Sequence, residues 1–350
     1  MNNHERLQAA FDMRKTDRLP VMGGWLAWPA HVAALADKNE EDFWQDPESV
    51  SFAAYRRLEV DGLIGLWIPA RPGEYRGITA EDMMSRQEKV KPTLEDVIKK
   101  IDALTDFRQV EKNYKFEASY AAYLHELEKY QSQAGGIAWC PAEWGIVPAF
   151  PRDEEHLMML ALYPEKGRRY FMDQPAAARC RARLVARAIK ERKIPTGILT
   201  GKDVCSQSGP IVSPAYLKET YFPAVKYALE PLLEAGTKLI WHCDGNVKPV
   251  LDQILDLGVA GLQGFQSECG IDLKEIVNLR TRNDKPLIIL GPLSVTTDLL
   301  KTTPEMVKRK VRDAINTCRG KASLILFTSN TVTPDIPLDN IIAMHEAARC

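Results

Sequence analysis

Short apolar runs alternate with helical patterns along most of the chain. Each run is closed by glycine, proline or polar residues, and the stretch behind it carries apolar residues at helical spacing. Because neighbouring parallel strands need long crossover connections, this alternation predicts a parallel β-sheet flanked by helices. The apolar runs occupy residues 21–27, 62–68, 136–140, 197–200, 238–242, 261–265, 286–290 and 323–327.

Eight strand–helix repeats favour a closed (β/α)8 TIM barrel over an open, doubly wound sheet. We therefore expect an α/β fold in which residues 1–350 form a single barrel domain, although 350 residues are also enough for two domains. Residues 4–15 predict an amino-terminal helix packed outside the barrel. Residues 69–133 and 148–174 predict insertions after the second and third strands, with a basic helix at 176–193 behind them.

The composition narrows the classes of function. The 46 lysine and arginine residues nearly balance the 47 aspartate and glutamate residues, so the broad positive charge that attracts nucleic acids is missing. No apolar run approaches the roughly 18 residues that cross a bilayer. The polar amino terminus lacks the apolar core of a secretory signal, and the seven cysteines form no CxxC pair. We expect a reduced, cytoplasmic protein that binds neither nucleic acid nor membrane.

Polar and aromatic residues gather where the predicted strands end, which is where TIM barrels carry their catalytic groups. Asp203, His242, Asp244 and Glu268 follow three consecutive strands. Polar residues are common wherever a strand ends, which would account for any one of these residues. It accounts less well for ionisable residues behind three consecutive strands. The other candidates at these ends are Trp25, Trp28, Trp67, Glu143, Trp144, Gln266, Ser329 and Asn330.

The tryptophans among these candidates suggest a flat, apolar or aromatic ligand whose orientation is set by polar groups. The alternative is that they only pack the rim of the barrel. The chain has no Gly-x-Ser-x-Gly nucleophile motif, no phosphate-binding loop and no dinucleotide fingerprint.

His242 lies in the most informative segment, because it follows an apolar strand and begins a polar turn. Strand alternation places His242 and Asp244 on one side and Cys243 on the other. Such a pair can bind a metal, hold a substrate or act in acid–base catalysis. We expect His242 as a ligand if zinc is bound. Cysteines and glutamates at other strand ends could complete the site, but no spacing identifies them, so a metal-free site stays open.

Several motifs resemble the uroporphyrinogen decarboxylase superfamily. They are HCDGN at 242–246, LGVAGL at 257–262, QSECG at 266–270, DLKEI at 272–276, TPE at 303–305 and TPDIP at 333–337. The resemblance is dense over residues 195–350 and thin over 25–195. It implies a TIM barrel, in agreement with the strand count.

The branches of this superfamily differ at positions that this chain allows us to compare. The decarboxylases carry an arginine-rich motif after the first strand that holds the substrate carboxylates, whereas residues 22–28 read MGGWLAW, without arginine. The coenzyme M methyltransferases carry a His-x-Cys pair and a later cysteine as zinc ligands, whereas Asp244 and the pair Ser329-Asn330 stand near those places. The remaining branch demethylates small compounds, commonly aryl methyl ethers, and passes the methyl group to a cobalamin on a partner protein.

The resemblance therefore implies a corrinoid-dependent methyltransferase acting on a small methylated, often methoxylated aromatic, substrate. We expect His242, Asp244 and Glu268 to protonate the leaving oxygen or bind it to a metal, with Asp203 and Gln266 holding the substrate. A corrinoid protein is expected at the barrel mouth, and a homodimer is a family expectation. Two alternatives remain open, a cofactor-free decarboxylase or lyase acting on a small carboxylate, and a non-catalytic binding protein.

Overall fold

Eight parallel strands, labelled β1 to β8, lie at the eight apolar runs of the sequence. The structure is a computed structural model that describes residues 1–69 and 92–349, except for the side chains of residues 173 and 174. Within these residues the barrel strands are Met22–Gly23, Gly62–Leu63, Ala138–Trp139, Gly197–Gly201, Lys238–His242, Gly261–Gln263, Ile288–Leu293 and Ser323–Thr328. Two further short strands, Cys205–Ser206 and Gly209–Pro210, form an antiparallel pair behind β4.

The strands close into a ring. Parallel ladders connect β1 to β3 and β4 to β8. On one side Val21, just before β1, forms a parallel bridge with Leu326 of β8. On the other side the backbone N–H of Glu143, beyond β3, donates to the carbonyl of Leu199 in β4 at 2.8 Å. The predicted (β/α)8 TIM barrel is confirmed.

Alternation along the strands divides the apolar residues into two layers. Successive residues of β5 show this, because Leu239 and Trp241 pack in the outer layer against the helices, whereas Ile240 packs inside the barrel. The interior cluster consists of Leu7, Ala10, Phe11, Met22, Ile64, Ala138, Cys140, Leu199, Ile240, Ile288, Leu290, Ile325 and Phe327.

The amino-terminal helix Asn3–Phe11 closes the bottom of the barrel, at the amino ends of the strands. Leu7 and Phe11 belong to the interior cluster, and a Cβ on Gly197 would lie 2.2 Å from the Phe11 ring. The sequence predicted this helix outside the barrel wall. It instead covers the bottom of the barrel, because its apolar face completes the interior core.

Helices and helical turns connect the strands and cover the outer wall. Before β4 they are Pro29–Leu35, Glu40–Gln45, Pro47–Arg57, Leu94–Asp102, Phe107–Asn113, Phe116–Gln133, Trp144–Ile146, Glu154–Leu162 and Pro164–Lys190. After β4 they are Pro214–Tyr216, Leu217–Tyr221, Phe222–Glu234, Lys248–Val250, Leu251–Asp256, Ser267–Cys269, Leu273–Ile276, Val295–Leu300, Pro304–Cys318 and Leu338–Ala347.

The predicted insertions contain much of this helical structure. Residues 70–91 of the first insertion lie outside the described residues, and three helices follow between residues 94 and 133. In the second insertion the basic helix is Pro164–Lys190, longer than predicted. The sequence pointed to a start behind Pro175, but Pro164 occupies the first turn and the helix continues through Pro175. Within the described residues, no helix is long and apolar enough to cross a membrane.

Candidate active site

Asp203, His242 and Asp244 form a cluster at the carboxyl ends of β4 and β5. His242 has the same side-chain parity as Ile240, so it continues the interior face of β5 into the barrel mouth. Its Nε2 lies 3.5 Å from Oδ1 of Asp203 and 3.8 Å from Oδ1 of Asp244. One ligand atom from each of the three side chains lies within 4.8 Å of the others.

The absence of a side chain at Gly201 allows the two strand ends to meet. Gly201 pairs with His242 in the parallel ladder, has φ of 148°, and a Cβ there would lie 2.0 Å from the His242 carbonyl oxygen. Beyond this point the backbone N–H of Asp244 donates to Oδ1 of Asp203 at 2.9 Å. The close approach therefore places both carboxylates beside one imidazole.

Two predicted substrate-binding amides hold the Asp244 loop. Asn330 Nδ2 donates to Oδ2 of Asp244 at 2.7 Å. Gln266 Oε1 accepts from the backbone N–H of Gly245 at 2.6 Å. Both amides lie at the predicted mouth, and each is engaged with a protein atom of the loop that presents Asp244.

Asp244 retains one carboxylate oxygen without a hydrogen-bond partner. Its Oδ1 is buried and accepts no hydrogen bond, whereas Oδ2 is held by Asn330. Burial raises the pKa of Asp244, neighbouring His242 opposes that rise, and Asp203 adds to it. A buried carboxylate oxygen without a partner is unfavourable, so this arrangement favours a proton or a cation between the three side chains.

Gln263 on β6 is a site residue that the sequence reasoning missed. Its Oε1 makes a short hydrogen bond with Nδ1 of His242, and the residue is 4 % exposed. A signal was present, because Gln263 is a polar residue in a short apolar strand, and its parity relative to Leu262 points it into the barrel.

Two predicted tryptophans flank His242. The ring centroids of Trp25 and Trp144 each lie 5.6 Å from the imidazole in edge-on geometry. The two indoles lie 6.4 Å apart with planes 23° apart, and Trp144 is 40 % exposed. Trp28 instead precedes the helix Pro29–Leu35, and Trp67 lies half-buried in the segment behind β2. An aromatic surface therefore borders the polar cluster.

Glu143 lies near the mouth but binds protein groups. Tyr123 donates its hydroxyl to Oε1 at 2.9 Å, and Arg181 Nε donates to Oε2 at 3.0 Å. Burial raises the pKa of Glu143, and the guanidinium of Arg181 opposes the rise. The carboxylate thus ties helices 116–133 and 164–190 to the end of β3.

Glu268 and Ser329 lie outside the three-residue cluster. Glu268 is exposed and accepts hydrogen bonds from Ser294 Oγ, at 3.0 Å, and from Thr296 Oγ1. Ser329 is fully buried, and its Oγ accepts from the backbone N–H of Val295 at 3.2 Å. Neither side chain contributes to the group around His242.

The cluster has the donor set of a divalent cation site. It offers one imidazole nitrogen and two carboxylates, and Asp244 Oδ1 is buried with no other partner. Catalytic zinc sites commonly use three protein ligands from histidine and carboxylates and keep one position open. Among the described residues the cluster includes no cysteine. Arg152, which is 57 % exposed, lies 3.5 Å from Asp203.

Comparisons with known proteins agree with this fold. Residues 200–350 match the uroporphyrinogen decarboxylase (URO-D) family, so the predicted resemblance to that superfamily is confirmed over the part that carries the cluster. No curated protein sequence matches the chain. Among solved structures, the chain is similar to a methyltransferase from Methanosarcina mazei, with 17 % identity and a TM-score of 0.58. That similarity covers 99 % of this chain and 98 % of the other.

Proposed function

Because residues 200–350 match the URO-D family and the chain shares its fold with a methyltransferase, we propose that this protein is a corrinoid-dependent methyltransferase. It takes a methyl group from a small methylated compound, with methoxylated aromatics as the leading class, and passes it to the cobalamin of a partner corrinoid protein. The observation that carries the proposal is the cluster of Asp203, His242 and Asp244 at the open end of the barrel.

The chemistry of ether cleavage explains why such a cluster is useful. When the methyl group leaves, the oxygen keeps the bonding electron pair, and the methyl carbon forms its new bond with the electron pair of the reduced corrinoid cobalt. An alkoxide or phenoxide is a poor leaving group, so its developing negative charge needs a proton or a cation. His242, Asp203 and Asp244 together can hold either a proton or a cation beside a bound substrate.

A divalent metal such as Zn²⁺ fits this position, with His242, Asp203 and Asp244 as its ligands. The bound ion would act as a Lewis acid toward the leaving oxygen. Carboxylate ligands are harder than the thiolates expected of a thiol-activating site, which favours a substrate that binds through oxygen. The buried, unpartnered Oδ1 of Asp244 supports the assignment.

The aromatic residues beside the cluster suit a flat substrate. Trp25 and Trp144 border His242, so an aromatic ether could pack against an indole while its oxygen faces the cluster. A substrate packed against these rings would have its reacting oxygen shielded from water on that side. The partner's corrinoid has to approach from the open mouth, where Trp144 is 40 % exposed.

Two observations argue against a decarboxylase that binds a polycarboxylate. The MGGWLAW segment at 22–28 carries no arginine, and the cluster itself contributes two carboxylates. A substrate with several carboxylates would meet like charges where it needs opposite ones.

The test combines the purified protein, a reduced corrinoid protein and a panel of methoxylated aromatics and methylamines. We expect the cobalamin spectrum to change to that of the methylated form with one or more ethers, with the demethylated phenol released in equal amount. The same mixture with His242→Ala is the control and should be methylated roughly 10²- to 10⁴-fold more slowly. The absence of methylation from every substrate contradicts the proposal, and turnover of a carboxylate without corrinoid favours the lyase.

Metal analysis of the same preparation tests the ligand assignment. One equivalent of a divalent metal should be retained by the native chain and lost from His242→Ala. Asp12→Asn, which changes an exposed carboxylate on the opposite end of the barrel, should retain it.

A further inference from the structure

We propose that Gln263 is a positioning residue that keeps the proton of neutral His242 on Nδ1 and directs the lone pair of Nε2 toward Asp203 and Asp244. The role of this lone pair as a metal ligand rests on the proposed function. The placement of the proton rests only on the hydrogen bonds around Gln263.

The orientation of the Gln263 amide is determined by its surroundings. Its Nε2 donates to the backbone carbonyls of Thr328 at 2.8 Å and Ser329 at 2.9 Å. Both carbonyls can only accept, so rotating the amide by half a turn would place its oxygen against two acceptors. All of these atoms are buried, where such a mismatch is costly. The amide oxygen must therefore face His242.

The proton on His242 follows from this orientation. Because Gln263 Oε1 can only accept, Nδ1 of His242 has to donate in their hydrogen bond. A neutral imidazole carries one N–H, so Nε2 is left with a lone pair on the side of the two carboxylates. Because a lone pair and two carboxylates are all acceptors, this arrangement needs a proton or a cation between them.

Without Gln263 the carboxylates would favour the opposite tautomer. Nε2 lies 3.5 Å from Asp203 Oδ1 and 3.8 Å from Asp244 Oδ1, so an N–H at Nε2 would point to acceptors. Gln263 thus holds the imidazole against the preference of its acidic neighbours. In metal sites, a hydrogen bond to the remote ring nitrogen commonly fixes the tautomer that binds the ion.

The backbone next to Gln263 leaves room for this contact. Gly264 has φ of 94°, and a Cβ there would lie 3.1 Å from Nδ1 of His242 and 3.0 Å from the Cys243 carbonyl oxygen. A side chain at this position would crowd the imidazole. The Gln263–His242 contact therefore depends on the glycine that follows.

The contacts of Gln263 join the ends of three strands. It connects His242 on β5 with the carbonyls at the end of β8, and Asn330, just beyond β8, binds Asp244. The hydrogen bonds at these strand ends therefore reach the cluster at two points. Gln263 contacts the imidazole of His242, and Asn330 contacts the carboxylate of Asp244. The only oxygen of the cluster that is buried without a partner is Oδ1 of Asp244, on the side where Nε2 presents its lone pair.

The first test measures the tautomer directly in metal-free protein by 15N NMR of the histidine side chains. The His242 signals are identified by their loss in His242→Ala, at a pH where the ring is neutral. We expect Nδ1 to be protonated and Nε2 to carry the lone pair. In Gln263→Met, which keeps the volume and removes the acceptor, we expect a shift toward the Nε2-protonated form. In Gln263→Glu, a protonated carboxyl can donate to one of the Thr328 and Ser329 carbonyls and still accept from Nδ1, so the native tautomer should return.

The second test measures Zn²⁺ affinity by competition with a chelator. We expect Gln263→Met to weaken binding by roughly 10- to 100-fold and Gln263→Glu by less. Gln253→Met is the matched control, because Gln253 is a half-buried glutamine on the helix Leu251–Asp256, and its affinity should equal that of the native chain.

Two results would overturn the inference. One is an Nε2-protonated neutral His242 in the native chain, a measurement that needs no variant to fold. The other is a native tautomer in a folded Gln263→Met. Neither measurement uses a substrate or a corrinoid, so a failed methyl-transfer assay contradicts the proposed function alone. If zinc does not bind the native chain, the assignment of a metal site fails. The NMR measurement of the His242 tautomer still tests the role of Gln263.

Discussion

Each end of the barrel carries a cluster of charged side chains. The two clusters differ in whether every buried carboxylate oxygen has a hydrogen-bond partner. At the bottom, Asp61 is fully buried and accepts from Arg6 at 2.6 Å, from Arg18 at 2.8 Å and from the Val21 N–H at 2.8 Å. Arg6 also pairs with Asp17 and holds the pKa of that carboxyl well below its usual range. The amino-terminal ammonium of Met1 also lies 3.0 Å from Asp17, so both carboxylates of this cluster have cationic partners.

At the mouth, two carboxylates share one imidazole and an exposed arginine. Asp244 Oδ1 has no hydrogen-bond partner, and burial raises the pKa of that carboxyl. Complete networks of this kind stabilise a fold, whereas an incomplete one is costly unless a ligand completes it. The difference separates a structural cluster from a functional one, and its location agrees with the use of the carboxyl end in TIM barrels.

Removing the imidazole at the mouth should produce the largest change in activity. We expect His242→Ala to slow methyl transfer by roughly 10²- to 10⁴-fold, because both acid–base chemistry and metal binding at this position are lost. Because Gln263 Oε1 loses its buried donor, the metal-free chain should also lose about 1–3 kcal/mol of stability and melt at a lower temperature. Rates of corrinoid methylation and thermal unfolding of the same samples check both statements. Native activity in His242→Ala would show that the mouth cluster has no part in the reaction.

Breaking the bottom cluster should lower the stability of the fold and leave the activity unchanged. Asp61→Asn leaves Arg6 buried beside a neutral partner, so we expect the free energy of unfolding to fall by about 3–5 kcal/mol. Activity per folded molecule should be unchanged. Urea unfolding measures the loss, with Asp12→Asn as the exposed-pair control that should change little. If the two variants unfold alike, the bottom cluster is not a source of stability.

A second buried histidine sharpens the contrast with His242. His345 is 5 % exposed on the last helix, its Nδ1 lies 2.8 Å from the Ile341 carbonyl, and burial lowers its pKa to about 4. In the unfolded chain the His345 imidazole is protonated near its ordinary pKa of about 6.5. Since the folded chain resists it, stability is fully present above about pH 6.5 and falls as the pH drops toward 4.

The expected loss from His345 is about 3 kcal/mol over this range. Urea unfolding at pH 7.5, 6, 5 and 4 should reveal it, and His345→Leu should remove that part of the pH dependence. Equal slopes for the native and variant chains would contradict the assignment.

The aromatic border of the mouth should give the smallest effect. We expect Trp144→Ala to raise the KM for an aromatic ether by a few-fold, because an exposed ring contributes about 0.5–1.5 kcal/mol of stacking. Trp144→Phe retains a ring and should lie between the alanine variant and the native chain. Steady-state kinetics separate this change in KM from kcat, which we expect to change less. Equal KM values in all three chains would exclude stacking on Trp144.

Several expectations from sequence depended on local periodicity, and the structure agrees with them. The eight apolar runs coincide with the eight barrel strands, and His242 lies on the opposite side of its strand from Cys243, which packs in the outer layer. Strand and helix periods are properties of neighbouring residues, so one sequence is enough to read them. The roles predicted for the site residues stay predictions, to be decided by the variants above.

Contacts between distant segments were harder to foresee. Glu143 ends a strand like the other candidates, but Tyr123 and Arg181 from the outer helices take both of its oxygens. Glu268 follows β6 in sequence, yet its side chain turns to Ser294 and Thr296. Position at a strand end therefore did not predict which partner a side chain meets.

The sequence by itself determined the barrel, the alternation that puts His242 and Cys243 on opposite sides of their strand, and the polar character of the mouth, because each depends on spacing within a few residues. Only the tertiary structure decided that Asp203 and Asp244 share His242, and that Gln263 orients it. Asp203 and Asp244, which a hydrogen bond joins, lie 41 positions apart along the chain, and Gln263 lies 21 positions from His242. These contacts depend on the register between neighbouring strands and on the close approach at Gly201, which are properties of the assembled barrel.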